Sequence, residues 1–177
     1  MAITARPDVA PSAFATTYDR VMAEIAGREP GVGPATAAAR APGPRLAVVA
    51  CMDARLTVEE VLGLSRGEAH IIRNAGGLAT DDAIRSLVIS QNLLGTQEVL
   101  VIEHTDCGML TFADEAVRRN LAARTGANVD LPLLPFSNLE KNLVAQLGRI
   151  RTHPWLKRVP VHGLIYEVET GNLRPVE

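Results

Sequence analysis

Two stretches of this sequence, residues 46–51 (Leu-Ala-Val-Val-Ala-Cys) and 98–104 (Glu-Val-Leu-Val-Ile-Glu-His), are short apolar runs that each stop on a metal-binding side chain. A strand with one face in water alternates polar and apolar residues, whereas one that is apolar on both faces must be covered on both, as in a parallel sheet between helices. The crossover such a sheet needs lies between them. Thr80 ahead of Asp81 and Asp82 opens a helix, its hydroxyl capping free amides and the carboxylates sitting at the positive end of the dipole. That helix carries Ile84, Leu87, Val88 and Leu94 on one face and stops before Gly95. The expected fold is therefore α/β, a single domain with a mostly parallel central sheet flanked by helices.

Further elements follow from local signals. Residues 12–26 are expected to form an amphipathic helix and 28–44 a linker rich in Pro, Gly and Ala, which makes 1–44 an expected N-terminal helical arm and linker ahead of an α/β domain over 45–177. Within the domain, 57–64 is a short helix, 69–72 a strand, and 111–124 a helix that ends at Gly126. Ser137-Asn138-Leu139-Glu140 has the capping-box pattern, and Pro154 blocks extension of the helix it opens. Residues 159–168 form a strand, and 170–172 turn the chain into a C-terminal antiparallel edge strand at 173–176. The 126–136 segment, with Val129, Leu131, Leu133, Leu134 and Phe136, is more apolar than an exposed loop should be; it packs either on a partner chain or on its own core.

Several classes are excluded. The net charge is −2 and basic residues are scattered among acidic ones, so nucleic-acid binding is not expected. There is no apolar run of the roughly 20 residues needed to span a bilayer, and the opening residues lack an export signal's hydrophobic segment. The expected location is cytoplasmic, where thiols stay reduced. At 177 residues the chain can bury roughly 70% of its unfolded surface without a disulfide.

The chain's two cysteines, Cys51 and Cys107, bracket His104. Two thiolates and an imidazole are zinc ligands, and three of them, rather than four, leave a position open for water or substrate. The plainer reading of the cysteines is buried hydrophobes. Asp53 and Arg55 stand close enough to pair; beside a metal, the guanidinium would keep Asp53 ionised and near the fourth position, where it could accept a proton or, if released, close the site as a ligand. Without a metal the same pair is a turn clamp. Because two thiolates neutralise the zinc, bound water should be less acidic than in a three-histidine site, so activity should rise toward alkaline pH. His70, His153 and His162 have no metal-spaced companions and are not taken as ligands. Glu103 and Asp106 flank the ligands in capping or supporting roles. Ala75, Gly76 and Gly77 are small enough to leave an apolar space beside the metal, although the glycines also suit a tight turn.

Cys51-x-Asp53-x-Arg55, then Arg73-Asn74-Ala75-Gly76, then His104-x-x-Cys107-Gly108 resembles the β-class carbonic anhydrases over residues 44–173. Thr105-Asp106 with Met109 is similar to the compact branch of that family, which also includes carbonyl sulfide and carbon disulfide hydrolases. The resemblance implies one Zn2+ per chain on Cys51, His104 and Cys107, a catalytic Asp53–Arg55 dyad, and a substrate contact from the Gly108 amide. It implies hydration of carbon dioxide to bicarbonate by metal-bound hydroxide, with hydrolysis of carbonyl sulfide or carbon disulfide as the alternative. It also implies a homodimer or dimer of dimers, with the N-terminal helix lying on the partner. Plant-type members carry a substrate-binding glutamine where this chain has Pro42. Two readings from other classes remain: a noncatalytic structural zinc protein, which needs a permanent fourth ligand, and a dithiol redox protein, for which the chain lacks a Cys-x-x-Cys pair.

Overall fold

The structure, a computed structural model, describes residues 45–176. The arm, the linker and Pro42 lie outside the described residues. A five-stranded sheet in the order β2-β1-β3-β4-β5 forms the centre, built from β1 (Leu46–Cys51), β2 (Ala69–Asn74), β3 (Glu98–His104), β4 (Val161–Tyr166) and β5 (Leu173–Val176). The first four strands are parallel, and β5 runs antiparallel to β4 at the edge. All six residues of β1 are buried, which is why its sequence carries no polar alternation.

Side-chain alternation along the strands divides the core in two. Ala47, Val49, Val99 and Val101 face a layer holding Ile84, Leu87, Leu143, Leu147 and Ile150. These come from α2 (Asp81–Leu93) and α4 (Leu139–Thr152), the fourth of the helices α1 (Val58–Leu62), α2, α3 (Asp114–Thr125) and α4. The other face packs Val48, Ala50 and Ile102 against Leu56, Val58, Cys107 and Met109. Gly163 in β4 lets α4 lie close, since a Cβ there would come within 2.8 Å of Leu147 and 3.2 Å of Leu143.

The capping chemistry explains where helices begin and where expectation and structure differ. Thr80 accepts from the Ala83 amide at the start of α2, and Gly126, at φ 72°, ends α3. The helix expected from Thr111 starts instead at Asp114. A turn of 3-10 helix at Gly108–Leu110 precedes it, and the Thr111 hydroxyl is used on the Gly108 carbonyl at 2.7 Å rather than on a helix end. At α4 the cap is Asn138, which accepts from the Lys141 amide at 2.9 Å, so Ser137 falls one residue too early and Glu140 does not reach the capping-box position. The strand expected over 159–168 is shorter, Val161–Tyr166, because the Val168 amide turns away to the Thr105 hydroxyl at 3.0 Å.

Candidate metal centre

In the order β2-β1-β3 the chain steps outward in opposite directions from β1 and β3, so the crevice past their carboxyl ends is the switch point at which open α/β sheets place their sites. Cys51 ends β1, His104 ends β3, and Cys107 follows three residues later, before the turn at Gly108–Leu110. The ligand atoms of the three all lie within 4.8 Å of one another, and all three residues are buried. Of the four histidines, only His104 belongs to this group, as expected.

The donor set fits a tetrahedral zinc ion on three independent grounds. The Cys51 and Cys107 sulfurs are 3.9 Å apart, close to the roughly 3.8 Å that two Zn–S bonds of about 2.3 Å span at a tetrahedral angle. His104 Nδ1 lies 2.8 Å from the Thr105 carbonyl oxygen, an acceptor only, so that nitrogen carries the proton and Nε2 presents its lone pair. That Nε2 is fully buried with no hydrogen-bond partner, a costly state for a polar atom unless something coordinates it. Between the thiols, the Cys107 S–H holds the Cys51 thiol well below its ordinary value, assisted by His104 and by the amides of Asp53 and Gly76, which outweigh burial. The resulting Cys51 thiolate in turn holds Cys107 protonated. A dication bound by the three donors would displace that last proton, since metal binding to thiols releases protons.

Asp53 and Arg55 form the expected pair, with a geometry the spacing alone did not specify. Arg55 Nε donates to Asp53 Oδ1 at 2.9 Å and Nη2 to Oδ2 at 2.8 Å, and the Arg55 amide also donates to Oδ1 at 2.9 Å. These contacts, the Arg55 side chain first, hold the Asp53 carboxyl well below the ordinary carboxylate range. Asp53 Oδ2 lies 3.7 Å from His104 Nε2, so the carboxylate borders the triad. The opposite edge of Arg55 is also engaged: Nη1 donates to Asp106 Oδ2 at 2.8 Å and Nη2 to the Asp106 carbonyl at 3.0 Å.

Residues 73–79 wall the site. Arg73 donates to the carbonyls of Cys51 at 3.0 Å and Asp53 at 2.6 Å, and Asn74 bridges the Leu78 amide and carbonyl, both at 2.7 Å, closing the turn Ala75–Gly77. At φ 84°, Gly76 is ringed by Leu78, Met109 and Phe136, each 3.2 Å from where a Cβ would stand. Gly77 is pressed on the strands themselves: a Cβ would sit 2.8 Å from the Cys51 amide nitrogen and 2.9 Å from the Ile102 carbonyl oxygen. Ala75 lines a cleft of about 620 Å³ with Asn74, Leu78, Thr80 and residues 131–134. A side chain at Gly108 would enter open space.

Next to His104 but on the other face of the sheet, Glu103 is only 1% exposed. One of its oxygens accepts from Asn142 at 2.7 Å; the other has no partner. Asn142 accepts from Gln146 at 3.1 Å, and Gln146 accepts from the Ala79 amide at 3.0 Å, so a partly buried polar chain runs from the end of β3 through α4 to the wall of the site. The spacing of Asn142 and Gln146, one turn apart on α4, was the only sequence trace of this chain. The packing of Met109 and Phe136 around Gly76, and the grip of Asp106 on Arg55, left none.

A family model described as carbonic anhydrase matches residues 46–130. The β-carbonic anhydrase 1 of Mycobacterium tuberculosis is 45% identical over 136 residues, covering 76% of this chain and 83% of that protein. A carbon disulfide hydrolase of Acidithiobacillus thiooxidans is 40% identical over 152 residues, with 74% of this chain and 76% of that protein covered. Among solved structures, the carbonic anhydrase from Streptococcus mutans aligns with a TM-score of 0.75 at 38% identity, over 90% of this chain and 93% of that one.

Proposed function

Because the chain belongs to the β-carbonic anhydrase family, we propose that it catalyses the zinc-dependent conversion of carbon dioxide and water to bicarbonate and a proton, in the cytoplasm, as a homodimer or dimer of dimers. The observation that carries the reading is the buried Cys51–His104–Cys107 triad with an orphaned His104 Nε2 and an ionised carboxylate, that of Asp53, 3.7 Å away. Zinc on this triad would supply a Lewis acid that turns water into a nucleophile, more readily as the pH rises because two thiolates neutralise the ion.

The chain's own residues do the rest. Thr105 fixes the His104 tautomer that offers a lone pair. Asp53, ionised and clamped by Arg55, has acceptor capacity only, so it takes a hydrogen bond from the attacking oxygen and aims that oxygen's remaining lone pair at the substrate carbon. Arg55 prevents Asp53 from collecting that proton permanently. Carbon dioxide carries no charge and little hydrogen-bonding capacity, so it suits an apolar wall such as Ala75, which borders the cleft with Leu78; the space expected at Gly76 and Gly77 is already filled, since a Cβ there would come within 3.2 Å and 2.8 Å of its neighbours. The Gly108 amide is assigned to a substrate oxygen.

The identity to carbon disulfide hydrolases favours a second reading, hydrolysis of carbonyl sulfide or carbon disulfide at the same site. A structural zinc site is disfavoured because Arg55 draws Asp53 into a bidentate pair, and among the described residues the metal-ligating group has three members rather than four. A redox dithiol is disfavoured because the two thiols share their site with a third buried donor, His104 Nε2, which has no hydrogen-bond partner and which a disulfide would not use. Stopped-flow carbon dioxide hydration by the zinc-loaded protein, beside sulfide release from carbonyl sulfide and carbon disulfide by the same sample, decides the substrate. Faster turnover of either sulfur compound overturns the first reading in favour of the second, and no turnover of any of the three overturns both.

A further inference from the structure

Arg55 is held on two edges. Its Nε and Nη2 edge serves Asp53; its Nη1 donates to the Asp106 carboxylate at 2.8 Å, and Nη2 also reaches the Asp106 carbonyl at 3.0 Å. The two carboxylates therefore bind different N–H groups of one planar guanidinium, and the second grip does not displace the first. Asp106 has the left-handed φ of 55°, a conformation that aspartate tolerates and most side chains do not. With that backbone its carbonyl and its carboxylate both meet the same guanidinium. The grip also ties the loop after β1, which follows Cys51, to the loop after β3, which joins His104 to Cys107.

We propose that Asp106 is a positioning residue for the dyad: by holding the far edge of Arg55 it keeps the guanidinium on Asp53 and so keeps the Asp53 carboxylate off the metal. The inference rests on the Asp53–Arg55 reading above and adds to it the device that maintains the pair. Arg55 is a long side chain, about half exposed, and at such a place charges hold one another best as a network, which the Asp106 contacts make of the Asp53–Arg55 pair. Asp53 Oδ2 is already within 3.7 Å of His104 Nε2, so a small swing of a released carboxylate would bring it to the fourth vertex. A second anchor on Arg55 opposes that swing.

The test uses the full chain with Co2+ in place of Zn2+, whose visible absorption reports an added carboxylate ligand, together with carbon dioxide hydration by the zinc form. Asp106→Gly removes the carboxylate at a backbone position glycine adopts without strain. It is expected to change the cobalt spectrum and to lower kcat/KM by roughly 10- to 100-fold, the usual loss when a partner of a metal-site residue is removed. Asp106→Asn, which tolerates the same backbone and keeps one acceptor oxygen, should recover part of both. In an Asp53→Ala background, Asp106→Gly should alter neither. A wild-type spectrum and rate in Asp106→Gly, or a change that persists without Asp53, overturns the proposal while leaving the dyad standing. If Asp53→Ala itself leaves turnover unchanged, the dyad reading falls, and this inference with it.

Discussion

His104 and Glu103 are neighbours at the end of β3 that the strand's alternation sends to opposite faces, and their fates differ accordingly. His104 has its Nδ1 committed to Thr105 and its Nε2 reserved; Glu103 is sealed behind α4, where burial pushes its carboxyl up to about 8 despite the Asn142 hydrogen bond. In the unfolded chain the same carboxyl loses its proton near the usual value of about 4.3. Because the folded state holds the proton longer, this group's contribution to stability is complete below that value and is lost as pH rises toward 8. In the zinc-free protein, Glu103→Gln should therefore gain on wild type steadily from pH 5 to pH 8 in urea titrations; a constant difference between the two across that range refutes the assignment. Asp53 behaves in the opposite sense: held low by Arg55, it stays ionised throughout that range, so it contributes no acidic limb near neutrality to the rate profile. Asp53→Asn should reduce kcat/KM for hydration by about 10²- to 10⁴-fold, the range for a lost proton-handling group, with zinc content unchanged by metal analysis. The metal triad and the Asp53–Arg55 pair were legible from sequence because each sits in a short motif at a strand end. The Asp106 contact on Arg55 and the Glu103–Asn142–Gln146–Ala79 chain were not, since they join residues 39 to 67 positions apart that only the packed fold brings together.

At the level of elements, the strands were the most readable feature because burial on both faces leaves a continuous apolar run, and β1 and β3 have the bounds their runs imply. Helix starts were less readable wherever two capping residues compete: Ser137 and Asn138 are both good caps, and only the approach of the chain to α4 selects Asn138. Sequence could also name glycines without saying what each is for. Gly77 and Gly163 both permit close approach, but against different neighbours. At Gly77 the obstacles are backbone atoms of β1 and β3, which cannot rotate away, and its φ is +69°. Gly77→Ala should destabilise the protein by at least about 3 kcal/mol, from the left-handed backbone and the overlap together, and should loosen the Cys51 end of β1. At Gly163 the obstacles are the Leu147 and Leu143 side chains, which can adjust in part, so Gly163→Ala should cost about 1–2 kcal/mol and leave zinc binding intact. Urea midpoints alongside zinc titration separate the two; equal losses from both variants contradict this account of the wall.

For the molecule as a whole, the 126–136 loop decides how much surface is left to cover. It divides between the two readings the sequence allowed. Phe136 turns inward, its amide donating to the Met109 carbonyl at 3.2 Å and its ring meeting Gly76, whereas Leu131 is 69% exposed and Leu134 42%. The loop is not loose: Arg118 on α3 donates to the carbonyls of Val129 and Leu131 and fastens it from below. Two leucines held outward on a fastened loop, beside an apolar cleft that reaches Asn74 and Ala75, suit burial against a second copy of the chain better than permanent contact with water. The variants that test this are Leu131→Asp and Leu134→Asp, because Leu133 is partly buried within its own chain and its replacement would confuse folding with association. Leu134 has a φ of +57°, where aspartate is better tolerated than leucine, so the monomer's fold should survive. Sedimentation equilibrium at micromolar concentration should show the double variant as a monomer with a normal far-ultraviolet spectrum, and turnover should fall with dissociation because the cleft adjoins the wall of the site. A wild-type chain that sediments as a monomer, or a double variant that associates as tightly as wild type, removes these leucines from the interface.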